Sequence, residues 1–266
     1  MTNIEDAFAA TAIDAARQAG ALLKANYGGV LGVNELKQYD IKLELDVRSQ
    51  ELITAIILNS FPDHAIYGEE GIAGNQESDH EWIVDPIDGT VNYFYSIPHF
   101  CVSIALRVQG EIVLGVIYDP MQDELFVGRK GHAPTLNGQP IQVSGRTELA
   151  DAMVTVGFSK NRESIDIGLA RFKDLLFKVR KTRMLGSAAL GMAYVAAGRL
   201  DAYIEEIISL WDVAAGIILV ETAGGRARMF ERDAKAEKYS MCCTNGKMPL
   251  GWIEEEMAEI SKPFQS

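Results

Sequence analysis

Apolar residues recur at helical spacing near the start of the chain. Ile4, Phe8, Ala12, Ala15, Ala16, Ala19, Leu22 and Leu23 share one face and predict a helix over 4–27, stopped by Gly28-Gly29. Residues 34–46 alternate as an extended segment, and a second helix over 47–59 places Leu52, Ile53, Ile56 and Ile57 inward before Phe61-Pro62-Asp63 ends it. Short apolar runs at 64–67 and 81–84 read as strands, separated by a polar, glycine-bearing loop over 71–80. An irregular connection after Thr90 leads to four strand signals: Cys101–Val108, Ile112–Tyr118, Glu124–Val127 and Pro134–Val143. Gln109-Gly110, Asp119-Pro120, Gly131 and Asn137-Gly138 punctuate this meander.

Ser144-Gly145-Arg146 divides the chain into an N-terminal lobe, 1–145, and a C-terminal lobe, 146–266, packed as one unit. In the second lobe the pattern predicts strands at 153–157, 181–185, 201–205, 226–230 and 239–244. Helices are predicted at 165–179, from Gly186 to Ala197, at 211–223 and to about Ile260. The pattern by itself gives a mixed α and β protein with no internal repeat.

Composition narrows the function classes. A net charge of −12 argues against nucleic acid and anionic membranes as partners, though not against a phosphorylated substrate if cations supply local positive charge. The 48% hydrophobic content suits a sizeable interior, and the apolar runs fall short of a membrane span. Cys101, Cys242 and Cys243 show neither disulfide nor zinc spacing and read as buried reduced thiols. With no signal-peptide pattern, the expectation is a cytoplasmic protein.

The chemistry concentrates in Glu81-Trp82-Ile83-Val84-Asp85-Pro86-Ile87-Asp88-Gly89-Thr90. A buried strand ends in two carboxylates, Asp85 and Asp88, around a stiff Pro86, followed by a Gly89-Thr90 turn whose N–H groups can face an anion. Magnesium takes hard oxygen ligands, commonly one or two carboxylates plus a substrate phosphate, so a Mg²⁺-phosphate site is one reading. Asp-Pro and Asp-Gly are also ordinary turn formers, the other reading.

W-I-V-D-P-I-D-G-T-V-N-Y resembles the signature of the inositol monophosphatase family of Mg²⁺-dependent, lithium-sensitive phosphomonoesterases. Gly68-Glu69-Glu70 and Trp211-Asp212-Val213-Ala214-Ala215-Gly216 resemble two further family motifs, in order. The resemblance implies an α+β fold, the layered α/β/α/β/α sandwich shared with fructose-1,6-bisphosphatases. It implies two or three Mg²⁺ ions held by Glu69, Asp85, the Ile87 carbonyl, Asp88 and Asp212. Phosphate would rest on Gly89 and Thr90, with Thr90 and Asp40 activating the attacking water. Asp88, Glu205, Ala188 and Ser159 would face the substrate. Lys42-Leu43 stands where the family has Val-Thr, a departure beside Asp40. Asp40 and Asp46 also fit as turn and cap residues, Asp212 as a helix-start acid, and His99, with no companion ligands, as a structural residue.

The leading function is hydrolysis of inositol-1-phosphate. Histidinol phosphate or a broader set of sugar phosphates is the alternative, and a catalytically silent binding or regulatory module is the alternative of another class. A small phosphorylated polyol or amine is the expected partner, and a homodimer is expected by family analogy.

Overall fold

Eight residues of the first helix face inward at three- and four-residue spacing, six of them alanine or glycine, so the helix backbone lies close on the sheet beneath it. The computed structural model describes residues 4–29, 32–36, 41–158, 162–234 and 236–260. In order these form α1 (Ile4–Asn26), β1 (Val33–Leu36), β2 (Ile41–Leu43), α2 (Glu44–Ser60), β3 (Ala65–Gly68), β4 (Gly71–Gly74), β5 (His80–Asp88) and α3 (Thr90–Phe94). Next come β6 (Cys101–Val108), β7 (Glu111–Asp119), β8 (Glu124–Arg129), β9 (Thr135–Leu136), β10 (Gln139–Pro140) and β11 (Met153–Phe158). The chain continues through α4 (Arg162–Lys178), β12 (Lys181–Arg183), α5 (Ala188–Ala196), β13 (Ala202–Ser209), α6 (Leu210–Thr222), β14 (Arg226–Asp233), β15 (Lys238–Thr244) and α7 (Gly251–Ile260).

Five layers result. An eight-stranded sheet runs β10-β9-β8-β7-β6-β5-β3-β4 and a five-stranded sheet runs β12-β11-β13-β15-β14. Helices α1 and α2 cover the outer face of the large sheet, α5 and α6 lie between the sheets, and α4 and α7 cover the small sheet. This is the α/β/α/β/α sandwich. Three apolar cores fill the gaps; the middle one joins Ile83, Cys101 and Phe126 to Ala189, Leu219 and Met241. Strand β5 is covered on both faces, which is why Trp82-Ile83-Val84 reads as an unbroken apolar run. Trp82 donates from its indole to His64 Nδ1 at 3.0 Å and packs among Phe8 and Phe61.

Several boundaries differ from the pattern-based expectation. Ile4 is exposed, because it precedes the part of α1 that reaches the sheet. Helix α2 starts at Glu44, within the segment expected to be extended, where Asp46 accepts the Leu43 N–H at 2.6 Å and satisfies the helix start. Part of the expected 71–80 loop is β4, an edge strand whose Gly-Ile-Ala-Gly sequence carries no alternation. Thr90–Phe94 is a short helix where an irregular connection was expected. The 134–143 strand breaks into a hairpin at Asn137-Gly138, both with positive φ. The cysteines are free and buried. No helix among the described residues is long and apolar enough to cross a membrane.

Helix α6 approaches the large sheet over two glycines. A Cβ on Gly115 would lie 2.4 Å from the Ala215 carbonyl oxygen, and one on Gly128 would lie 2.9 Å from Leu219 Cα. Both clashes are with backbone, which has no rotamer to yield. Gly115→Ala is expected to destabilise the protein by about 1–3 kcal/mol through overpacking, read as a lower urea midpoint at unchanged slope.

Candidate metal and phosphate site

Asp85 and Asp88 are three apart in β5, so in a regular strand they would face opposite sides of the sheet. They do not, because β5 carries a bulge. Asp85 pairs with Ser103 and Asp88 with Cys101, leaving Pro86 and Ile87 opposite the single residue Val102. Proline has no N–H to lose from the ladder and is at home in a bulge. One extra residue thus turns both carboxylates to the same side. Asp85 accepts the Ile87 N–H at 3.0 Å, which tightens the turn.

The other acids arrive from neighbouring elements. Strand β3 runs parallel to β5 with Gly68 beside Val84, so Glu69 emerges level with Asp85, and the Glu69 N–H donates to the Val84 carbonyl at 3.1 Å. Gln50 of α2 pins this turn, accepting the Glu70 N–H at 2.9 Å and donating to the Gly71 carbonyl at 3.0 Å. Asp212 lies in the first turn of α6 and accepts the Ser209 N–H at 2.9 Å. One oxygen from each of Asp85, Asp88 and Asp212 lies within 4.8 Å of the others. Oxygens sharing a Mg²⁺ at ~2.0–2.1 Å stand roughly 3–4 Å apart, so a small inward movement closes the shell. Among the described residues, none of Glu69, Asp85, Asp88 and Asp212 forms an ion pair with lysine or arginine.

Asp88 is the most tightly held. It accepts from the Ser187 hydroxyl, from the Ala189 N–H at 2.8 Å and from the Ala188 N–H at 3.2 Å, with the Cys101 thiol 3.6 Å away. These donors form the start of α5, with Ser187 as its cap and Gly186 at φ +78°. Sequence reasoning identified Ala188 but missed Ser187, Ala189 and Gln50. A Gly-Ser pair before a small-residue helix was the one available signal for the first two.

After Asp88 the chain turns through Gly89, at φ +96°, and enters α3. A side chain there would be strained, and its Cβ would lie 3.1 Å from the His99 carbonyl oxygen. The Thr90 hydroxyl donates to the Ile87 carbonyl at 2.9 Å. Glu205 of β13 accepts the Tyr203 hydroxyl at 2.6 Å. It lines, with Asp88 and Ala188, a cavity of about 400 Å³. Asn92 donates to the carbonyls of His99 and Leu185, both at 2.8 Å, tying two of its edges together. Leu43, where the family has threonine, is fully buried in the outer core, and Asp46 beside it is buried as the α2 cap. His99 stands edge-on to Tyr194. Asp40 and Ser159 lie outside the described residues.

Burial and mutual repulsion dominate the electrostatics. Burial first, then the charges of Glu69, Asp88 and Asp212, drives the Asp85 pKa well above the carboxylate range. Glu69 stands at the solvent-facing mouth, and desolvation in the cleft with the charges of Asp212, Asp46 and Glu70 raises it as well. Asp212 is pushed up to about 7 by burial and the Asp88 charge, against the Ser209 N–H and Lys238. Burial raises Asp88, less its bonds to Ser187, Ala189 and Ala188. A hard-oxygen set crowded this closely, with no ion-paired lysine or arginine among the described residues, fits divalent cations.

The inositol monophosphatase family model matches residues 5–260. The chain belongs to the inositol monophosphatase family. It is 40% identical over 222 residues to Nus factor SuhB of Pseudomonas aeruginosa, covering 80% of this chain and 82% of that one. It is also 40% identical over 225 residues to inositol monophosphatase 3 of Solanum lycopersicum, covering 82% of this chain and 84% of that one. Among solved structures, inositol monophosphatase from Anabaena superposes with a TM-score of 0.80 at 36% identity, over 98% of this chain and 96% of that one. The extragenic suppressor protein suhB from Bartonella henselae superposes at 0.84 with 32% identity, over 97% and 99%. Members of the inositol monophosphatase family are metal-dependent phosphatases, and this chain is an enzyme of that type.

The repulsion predicts a pH signature. Carboxyls with raised folded-state pKa stabilise the metal-free protein while protonated, and that stability is lost as pH rises through their folded values, about 7 for Asp212. Bound cations offset the loss and compete better with fewer protons. The Tm difference between millimolar magnesium and EDTA is therefore expected to widen from pH 5 to pH 8; an equal gap at both contradicts the assignment.

Proposed function

We propose that the protein hydrolyses a small phosphomonoester with Mg²⁺, foremost inositol-1-phosphate. The observation that carries this reading is the convergence of Asp85, Asp88 and Asp212 on one point, none of them ion-paired with lysine or arginine among the described residues, beside Glu69. In this reading Glu69, Asp85 and the Ile87 carbonyl hold one Mg²⁺, and Asp85, Asp88 and Asp212 hold a second. A third, weaker ion would be held near Glu69. When bound, such ions neutralise phosphoryl charge, polarise the leaving oxygen and make water a better nucleophile.

The chain's own groups do the rest. The turn at Gly89 and Thr90 opens its first N–H groups to the phosphoryl oxygens, since no preceding helical carbonyl takes them. The Thr90 hydroxyl, now bound to the Ile87 carbonyl, turns to orient the attacking water together with Asp40. Asp88, its geometry set by Ser187 and Ala189, faces the substrate from the metal side. Glu205, Ala188 and Ser159 face the leaving alcohol. A carboxylate at Glu205 accepts hydrogen bonds from ring hydroxyls and equally suits an amine, which makes histidinol phosphate the second substrate reading. A catalytically silent binding or regulatory module is the reading of another class, with Lys42-Leu43 in place of the family's Val-Thr as its support. The buried free thiols suit a reducing cytoplasm, and the family relationship supports a homodimer.

Asp85→Asn is expected to lower kcat for inositol-1-phosphate by at least about 10²-fold, the scale of losing a preorganised electrostatic group. Magnesium-dependent phosphate release from inositol-1-phosphate, histidinol phosphate and fructose-1,6-bisphosphate ranks the substrates. Release from none of them leaves the binding module as the function. Wild-type rates in Asp85→Asn sink the metal assignment.

A further inference from the structure

Strand β13 carries a second bulge, on the side of the cavity away from the metal ligands. Glu205 pairs with Met241 and Ile208 with Tyr239, so Glu206 and Ile207 together stand opposite the single residue Ser240. In a regular strand residues 205, 207 and 209 would share a face. With the extra residue, Glu205 and Ile208 both line the cavity that also holds Asp88. The arrangement is strained: Ile207 has φ +54°, a left-handed conformation that β-branched residues rarely adopt.

Something must hold the strain in place, and the cluster behind the bulge does so. Glu206 is 3% exposed. Its carboxylate accepts from Arg171 Nη1 of α4 and from the Ser240 hydroxyl, both at 2.5 Å, and from Arg232 of β14. Arg171 also reaches Glu256 of α7 at 3.3 Å. Three elements thus clamp the bulged residue to the strand across from it and to the helix below. Removing one partner from a buried ion pair is costly, so the clamp resists relaxation of the strand. On the cavity side there is no slack: a Cβ on Gly157, the parallel neighbour of Glu205, would lie 1.7 Å from Glu205 Oε2. The carboxylate occupies space that only a glycine leaves, so a shift of the β13 backbone moves it out of register with the cavity.

We infer that the Arg171–Glu206–Arg232 cluster positions Glu205 and Ile208 for recognition of the leaving alcohol, by holding a strained bulge that no regular strand would keep. The inference rests on the phosphatase reading above, in which Glu205 faces the alcohol. The cluster touches neither the metal ligands nor the phosphate turn, so it acts on selectivity and leaves phosphoryl chemistry alone.

A double-mutant cycle on the magnesium-loaded enzyme tests this, using inositol-1-phosphate and p-nitrophenyl phosphate, whose aryl group offers no ring hydroxyls. Glu206→Gln is expected to raise KM for inositol-1-phosphate about tenfold, with kcat within about threefold and p-nitrophenyl phosphate hydrolysis unchanged; in a Glu205→Gln background it is expected to add nothing, as for residues acting through one another. Arg232→Gln, at a more accessible member of the cluster, is expected to give the same pattern and serves if Glu206→Gln fails to fold. If Glu205→Gln alone lowers selectivity and the second substitution adds its full effect, this inference is overturned while the substrate reading stands. If Glu205→Gln leaves KM for inositol-1-phosphate unchanged, both fall. Parallel losses on the two substrates, or no loss on either, also overturn it.

Discussion

Like charges crowded in a buried cleft are the constraint on which this molecule turns. Four carboxylates from β5, α6 and the turn after β3 gather in one cleft, with Glu69 at its mouth, and among the described residues none of them forms an ion pair with lysine or arginine. Left alone, such a cluster must hold protons well above the ordinary carboxylate range. Divalent cations would turn it into a seat for a dianionic phosphoryl group in a protein whose overall charge of −12 would otherwise repel it. The rest of the fold supplies the rigidity to hold repelling groups together: a strand covered on both faces, a helix laid on two glycines, and the start of α5 locked to Asp88.

Two bulges divide the work of the cleft. The one in β5 rotates Asp85 and Asp88 to a common side, where metal and phosphate would sit. The one in β13 brings Glu205 and Ile208 together on the wall of the cavity that also holds Asp88. Each breaks strand alternation by one residue, and each is stabilised locally, by proline in the first case and by buried arginines in the second.

The relatives carry two kinds of name, inositol monophosphatase and Nus factor SuhB, at equal identity to this chain. Fold and overall similarity therefore do not separate the two names for this chain.

Pattern and motif sufficed for the long elements. Periodicity located α1, α2, α6 and the β6–β8 meander, because long amphipathic or doubly covered segments repeat their signal many times. Short elements escaped it: β4, α3 and the hairpin at Asn137-Gly138 each offer two to five residues, too few for a period to show. The identities of Glu69, Asp85, Asp88 and Asp212 were legible as local chemistry in three separated motifs, carried by a resemblance. Their convergence was not, since a bulge shifts facing by one residue and leaves no mark in composition beyond a proline. Ser187, Ala189, Gln50 and the Arg171–Glu206–Arg232 cluster act through backbone groups or across more than twenty residues of sequence. The chain's own order determined which acids exist and which elements carry them. Only packing in three dimensions decided which acids face one another and what holds them there, because distance through space is set by layers that no linear pattern records.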